Sequence, residues 1–124
     1  MRAETLSFLY RLLLAHFLAD FPLQPNELYE FKTRSFWGSA LHGAIFGAIA
    51  LGLVYPGGPM VCGAVLALTV LHILIDHAKA RFFLRRGSEG LASFLLDQAA
   101  HIGAIIVASL LVPPGTLSPL RDFA

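Results

Sequence analysis

Apolar side chains gather into four long stretches, at about residues 5–21, 37–55, 60–80 and 89–112. A helix rises about 1.5 Å per residue, so each stretch reaches most or all of the way across a hydrocarbon layer about 30 Å thick. The breaks between them are chemical. Pro22 stops the first, because it cannot extend a helix without losing a backbone hydrogen bond. Tyr55-Pro56-Gly57-Gly58-Pro59 is a compact uncharged turn, which makes the second and third stretches antiparallel neighbours. The third runs on as a basic extension through Arg81 and Phe83 and ends near Gly87. Ser88 can cap the fourth, and Pro113-Pro114-Gly115 ends it. The pattern predicts an all-α protein, a four-span transmembrane helical bundle in a single domain over residues 1–124. The tail from 113 to 124 lacks periodicity and is expected to be flexible.

Between the first two spans, Pro25-Asn26-Glu27 reads as a turn with a cap. Leu28 through Arg34 then forms a short interfacial helix, with Tyr29, Phe31, Phe36 and Trp37 at headgroup depth. The second span carries Gly43-x-x-x-Gly47, a spacing that lets a neighbouring helix come close and offers a face for a homo-oligomer.

Composition agrees with a membrane setting: 56% hydrophobic and 14% charged residues over 124 positions, with a mean hydropathy of +0.70. A formal charge of +1, spread among apolar runs, gives no reason to expect nucleic acid as a partner; the lipid bilayer is the expected one. The single Cys62 cannot close an internal disulfide and reads as packing. Arg2 before an apolar run resembles a signal peptide in outline, but Glu4 and Arg11 interrupt it, so the segment reads as mature protein. Arg11 itself either snorkels toward an interface or pairs with a buried carboxylate. The two longer loops hold Lys32, Arg34, Lys79, Arg81, Arg85 and Arg86, against Arg2 and Arg121 on the other side. The positive-inside tendency then puts the longer loops in the cytoplasm and both termini outside.

Polar residues inside the spans point to chemistry. His16 and Asp20, His72 and Asp76, and Asp97 and His101 are each four residues apart, so each pair shares a helix face. Lys79 lies on the same face as His72 and Asp76, whereas His77 points away, toward the lipid interface. Because chain direction reverses at each turn, His16, Asp20, His42, His72, Asp76, Asp97 and His101 are all expected at one level, the cytoplasmic end. A carboxylate in a span costs about 2.5 to 3.5 kcal/mol, so Asp20, Asp76 and Asp97 need compensation. A divalent metal ion supplies it directly. The mixture of imidazole and carboxylate suits zinc, with manganese or iron as alternatives, held by one ion with outer ligands or by two ions. The other reading is a metal-free hydrogen-bonded network in which Lys79 and Arg11 supply positive charge.

Four stretches also resemble a known family. They are Leu14-Ala15-His16-Phe17-Leu18-Ala19-Asp20-Phe21-Pro22-Leu23-Gln24, Leu41-His42, His72-Ile73-Leu74-Ile75-Asp76-His77-Ala78-Lys79, and Phe94-Leu95-Leu96-Asp97-Gln98-Ala99-Ala100-His101. Together they resemble the bacterial inner-membrane family called domain of unknown function 3307, which implies a multi-pass inner-membrane protein without an assigned reaction. A looser similarity is to zinc-dependent phospholipase C and the membrane-bound metal-dependent hydrolases, which also set His and an acid four apart on helices.

Two functions are expected to compete. The first is a metal-dependent hydrolase of a phosphoester or lipid headgroup at the cytoplasmic surface, with Lys79 as the candidate catalytic residue that binds the anionic group. Arg81, Arg85 and Arg86 would raise its local concentration. Gln24 and Gln98 either orient ligands or are ordinary interfacial residues. The second is a non-catalytic membrane protein, structural, partner-binding or handling protons or metal ions. The outer stretches 49–54, 62–68 and 105–111 contain no ionisable group on an acid or base other than the lone thiol of Cys62, which favours a one-sided site over a channel.

Overall fold

Residues 2–55, 57–82 and 90–120 are described by a computed structural model. Five α-helices follow one another: α1 (Ala3–Asp20), α2 (Asn26–Arg34), α3 (Phe36–Leu53), α4 (Pro59–Phe82) and α5 (Leu91–Leu111), and then a 3-10 helix, Pro114–Leu120. The four long helices close into a ring in which α1 packs on α3, α3 on α4, α4 on α5 and α5 back on α1. The short α2 lies against α3 and α4.

Each long helix turns one stripe inward, and the spacing of that stripe is what the 3.6-residue repeat demands. On α5 it is Ser93, Asp97, His101, Ile105 and Ser109. On α4 it is Val61, Val65, Leu68, His72, Asp76, Lys79 and Ala80. On α3 it includes Ser39, His42, Gly43, Phe46, Gly47 and Ala50. Along every stripe the character changes from apolar to polar. One half of the interior is built from Phe8, Leu12, Val54, Val61, Val65, Ile105 and Leu117, and the other from acids, imidazoles and two lysines. Outside, the order is reversed: Leu66, Val70, Leu74, Leu95, Leu96 and Leu110 are all more than half exposed. Water disfavours such a surface, and hydrocarbon accepts it.

Among the described residues, three helices are long and apolar enough to cross a membrane: α3, α4 and α5. The expected first span, α1, has the length, 18 residues, but carries Glu4, Arg11 and Asp20. Arg11 hydrogen-bonds Ser7 Oγ at 3.2 Å and the carbonyl of Leu53, the last residue of α3. A cation there answers the exposed carbonyls and negative dipole end of that helix.

The glycines of α3 are filled from within the chain. A Cβ on Gly47 would stand 2.6 Å from Thr69 Oγ1, and one on Gly43 would strike the Ile73 side chain, so α4 occupies the face that the sequence offered to a second copy. Gly38 is tighter still: a Cβ there would meet the backbone of Phe31 and Lys32. That close approach folds α2 back sharply onto α3, and Ser35 caps the joint by accepting from the Trp37 N–H at 3.1 Å.

Within the turn read at Pro25-Asn26-Glu27, Pro25 takes the cap position in extended conformation without a side-chain cap bond, and the helix starts at Asn26. In the tail, Pro114–Leu120 forms a 3-10 helix in which Leu117 is fully buried against the bundle. The cap at Ser88, the extension through Phe83 to Gly87, and Pro56, Arg85, Arg86, Glu89 and Arg121 lie outside the described residues.

Candidate metal centre

All seven expected ligands are buried and meet at one level of the ring: His16 and Asp20 from α1, His42 from α3, His72 and Asp76 from α4, Asp97 and His101 from α5. Their local spacing explains the meeting. Pairs four residues apart stack on a helix face, and four helices running in alternating directions bring those faces together. The imidazole of His72 is central, with ring centres 4.1 Å from His101, 4.8 Å from His42 and 5.9 Å from His16. Phe46 stacks on it at 5.0 Å and closes the cluster toward the apolar half.

Distances divide the contacts into two kinds. His42 Nε2 lies 2.9 Å from Asp20 Oδ1, His16 Nε2 lies 3.0 Å from Gln98 Oε1, and Gln98 Nε2 donates to Asp20 Oδ2 at 2.9 Å. These are hydrogen bonds of ordinary length. Around His72 the contacts are longer: its Nε2 is 3.4 Å from Asp76 Oδ2 and 3.7 Å from Asp20 Oδ1. That nitrogen makes no hydrogen bond among the described residues although it is buried. His42 Nε2 stands 3.5 Å from Asp76 Oδ2, and His101 Nε2 lies 3.3 Å from Asp97 Oδ1 and makes a long hydrogen bond, also 3.3 Å, with Asp76 Oδ1. Ligand atoms each about 2.1 Å from a tetrahedral ion are separated by about 3.4 Å from one another, so this second kind of contact has the span of a coordination edge. Three sets of ligand atoms lie within 4.8 Å of one another: His16, His72 and His101; Asp20, His42 and His72; Asp20, Asp97 and His101.

Two ammoniums reach the acids. Lys79 Nζ is 3.4 Å from Asp97 Oδ2, on the face that the sequence assigns it. Lys32 Nζ is 3.4 Å from Asp76 Oδ2 and comes from α2. Sequence reasoning counted Lys32 only among the loop cations. The available signal was its position four residues after Leu28, because these two are the buried residues of α2. Asp20 instead has amide and imidazole donors. Gln98, one of two readings left open, bridges His16, Asp20 and Asp97, the last at 3.3 Å. Gln24 donates to the Asp20 carbonyl at 2.9 Å. His77 turns away from the cluster and sets its ring edge-on to Phe36, 5.2 Å between centres. A cavity of about 200 Å³ leads in from the α2 end, with Asp20, Tyr29, Lys32, Lys79, Asp97 and Gln98 in its wall.

These features define a class: an all-helical protein with helices of membrane-spanning length, an apolar exterior and a buried His/Asp cluster at one end. The chain belongs to the DUF3307 family, described as a protein of unknown function, whose model matches residues 8–120. All four quoted motifs fall inside that match. Neither the curated proteins nor the solved structures provide a match. The looser likeness to metal-dependent hydrolases and zinc-dependent phospholipase C therefore has no support from these comparisons.

Proposed function

We propose that this chain is a four-span inner-membrane protein that holds a divalent metal ion, zinc before manganese or iron, in its His/Asp cluster. α1 completes the set of spans, and α2 lies on the cytoplasmic surface over the metal end. Asp20, His42 and His72 bind the ion with Asp76, while Asp97, His101 and His16 surround it or hold a second. The observation that carries this reading is His72 Nε2, which is buried, lacks a hydrogen bond, and lies 3.4 and 3.7 Å from two carboxylate oxygens. An unsatisfied buried nitrogen costs about 1 to 3 kcal/mol, and a metal ion removes that cost.

The activity that fits such a centre is hydrolysis of a phosphoester or lipid headgroup. The ion supplies a water acidified toward pKa ~7. The remaining steps belong to the chain. Lys79, in the cavity wall beside Asp97, receives the anionic group. Lys32 neutralises Asp76, Gln98 fixes His16 and Asp20, and Phe46 keeps water from the apolar half. An interior of Phe8, Leu12, Val61, Val65 and Ile105 beyond the cluster supports a site open at one end.

A non-catalytic protein with a hydrogen-bonded network is the second reading, favoured by the Gln98 bridge and the two lysine pairs. Metal analysis of detergent-purified protein decides between them. The hydrolase reading expects bound metal that falls in Asp76→Asn and His72→Ala, and turnover of a phosphodiester or glycerophospholipid that falls in Lys79→Gln. Equally little metal in all three proteins supports the network. Bound metal without turnover over a broad panel supports a non-enzymatic metal protein.

A further inference from the structure

Beside the cluster, and separate from it, a cleft of about 490 Å³ lies between the α2–α3 joint and the last turns of α4. Lys32, Arg34, His77 and Arg81 line it with Ser35 and Phe36, and its described walls contain no carboxylate. Lys32 is committed to Asp76. The two guanidiniums are not so committed. Arg34 gives only its Nε, to the Glu30 carbonyl one turn back at 3.3 Å, and Arg81 has no hydrogen bond or ion pair among the described residues. The first turn of α3, capped by Ser35, adds the positive end of an 18-residue helix to the same place. Such a lining is complementary to an anion.

Its rim indicates which anion. Phe36, in its wall, is 41% exposed and meets Trp37, 71% exposed, edge-on at 5.6 Å between ring centres, and Leu41 and Leu74 continue the apolar surface along α3 and α4. Aromatic rings between a cationic pocket and an apolar helix surface match the layering of a bilayer, where phosphate, glycerol and acyl chain follow one another in depth. A soluble phosphate would use the guanidiniums and leave the aromatic rim without a role. Arginine suits the task because its fork of N–H donors pairs with two phosphate oxygens at once.

We infer that this cleft binds the phosphate of an anionic phospholipid headgroup through Arg34 and Arg81, with Phe36 and Trp37 along the lipid's glycerol and upper chains. The site rests on the membrane-spanning reading and is independent of the metal, so protein that holds lipid but no metal supports the one and refutes the other. It also fixes where a charged lipid would sit relative to the cavity that opens on Lys79, since Lys32 is in the wall of both.

Native mass spectrometry of the purified chain, released from micelles containing equal amounts of phosphatidylglycerol and phosphatidylcholine, tests this directly. Wild type is expected to retain phosphatidylglycerol in preference, and Arg34→Gln/Arg81→Gln to weaken that retention about twenty-fivefold, two cations near an anionic surface contributing about fivefold each. Arg34→Lys/Arg81→Lys should fall between them, and Arg2→Gln should match wild type. Both arginines are exposed, and an unchanged helical circular dichroism spectrum verifies that the variants remain folded. Equal retention by wild type and the Gln pair, no preference over phosphatidylcholine, or displacement of the lipid by an equal concentration of inorganic phosphate overturns the proposal.

Discussion

Lys32 is the residue on which burial and charge bear most heavily. Its ammonium is almost completely enclosed, 3.4 Å from Asp76, and it comes from a helix of only nine residues. Removing one partner of a buried pair leaves the other charge uncompensated, at a cost of about 3 to 5 kcal/mol. Lys32→Gln is therefore expected to lower the unfolding midpoint in detergent by several degrees, and to cost much less when made in Asp76→Asn than in wild type. If it costs the same in both backgrounds, the two side chains are not acting on each other. Six of the seven acids and imidazoles were legible in the sequence as pairs at helical spacing within an apolar run, where a polar group needs a reason, and lone His42 by its position at the same end of its span. Lys32 was not, because its burial comes from the bend at Gly38, which is a tertiary contact. Gln98 was visible only as one of two readings, since an amide at a helix surface and an amide bridging two acids have the same local sequence.

At the scale of elements, close packing of α3 on α4 holds His42 next to His72 and Asp76. Gly47 allows it, with Thr69 across the contact. Gly47→Ala should destabilise the chain by about 1 to 3 kcal/mol through overpacking, measured as loss of thermal stability, and also loosen the cluster. Thr69→Ala in the same chain removes the hydroxyl and methyl that the new Cβ would meet, so the double variant should regain stability. A Gly47→Ala protein as stable as wild type would show that the contact yields without cost. Sequence periodicity gave the long helices to within a few residues at most ends. It assigned no element after Pro113, where a 3-10 helix gives Leu117 a buried seat that no local pattern announces. It also left open which neighbour used the glycine face, because a small-residue stripe reports only that something comes close.

For the molecule as a whole, the inversion of polarity is the governing fact: apolar outside, acid and imidazole inside at one end, apolar inside at the other. A bilayer accounts for it, and the proposed orientation puts the cationic loops on its cytoplasmic side. With Cys62 replaced by serine, a cysteine at Gly58 should react with a membrane-impermeant maleimide added to intact cells, and one at Thr33 should react only after lysis. The opposite labelling would invert the proposed orientation. Alkaline carbonate should leave the chain in the membrane pellet, whereas release into the supernatant would remove the spanning helices from the account.

X-ray absorption at the metal edge of the purified protein, wild type beside His72→Ala, bears most directly on the centre itself. The account predicts a stoichiometric divalent ion with only nitrogen and oxygen neighbours at about 2.0 to 2.2 Å, multiple-scattering features of imidazole, and loss of metal in the variant. Protein that binds no metal, or a metal spectrum unchanged by loss of His72, would contradict it.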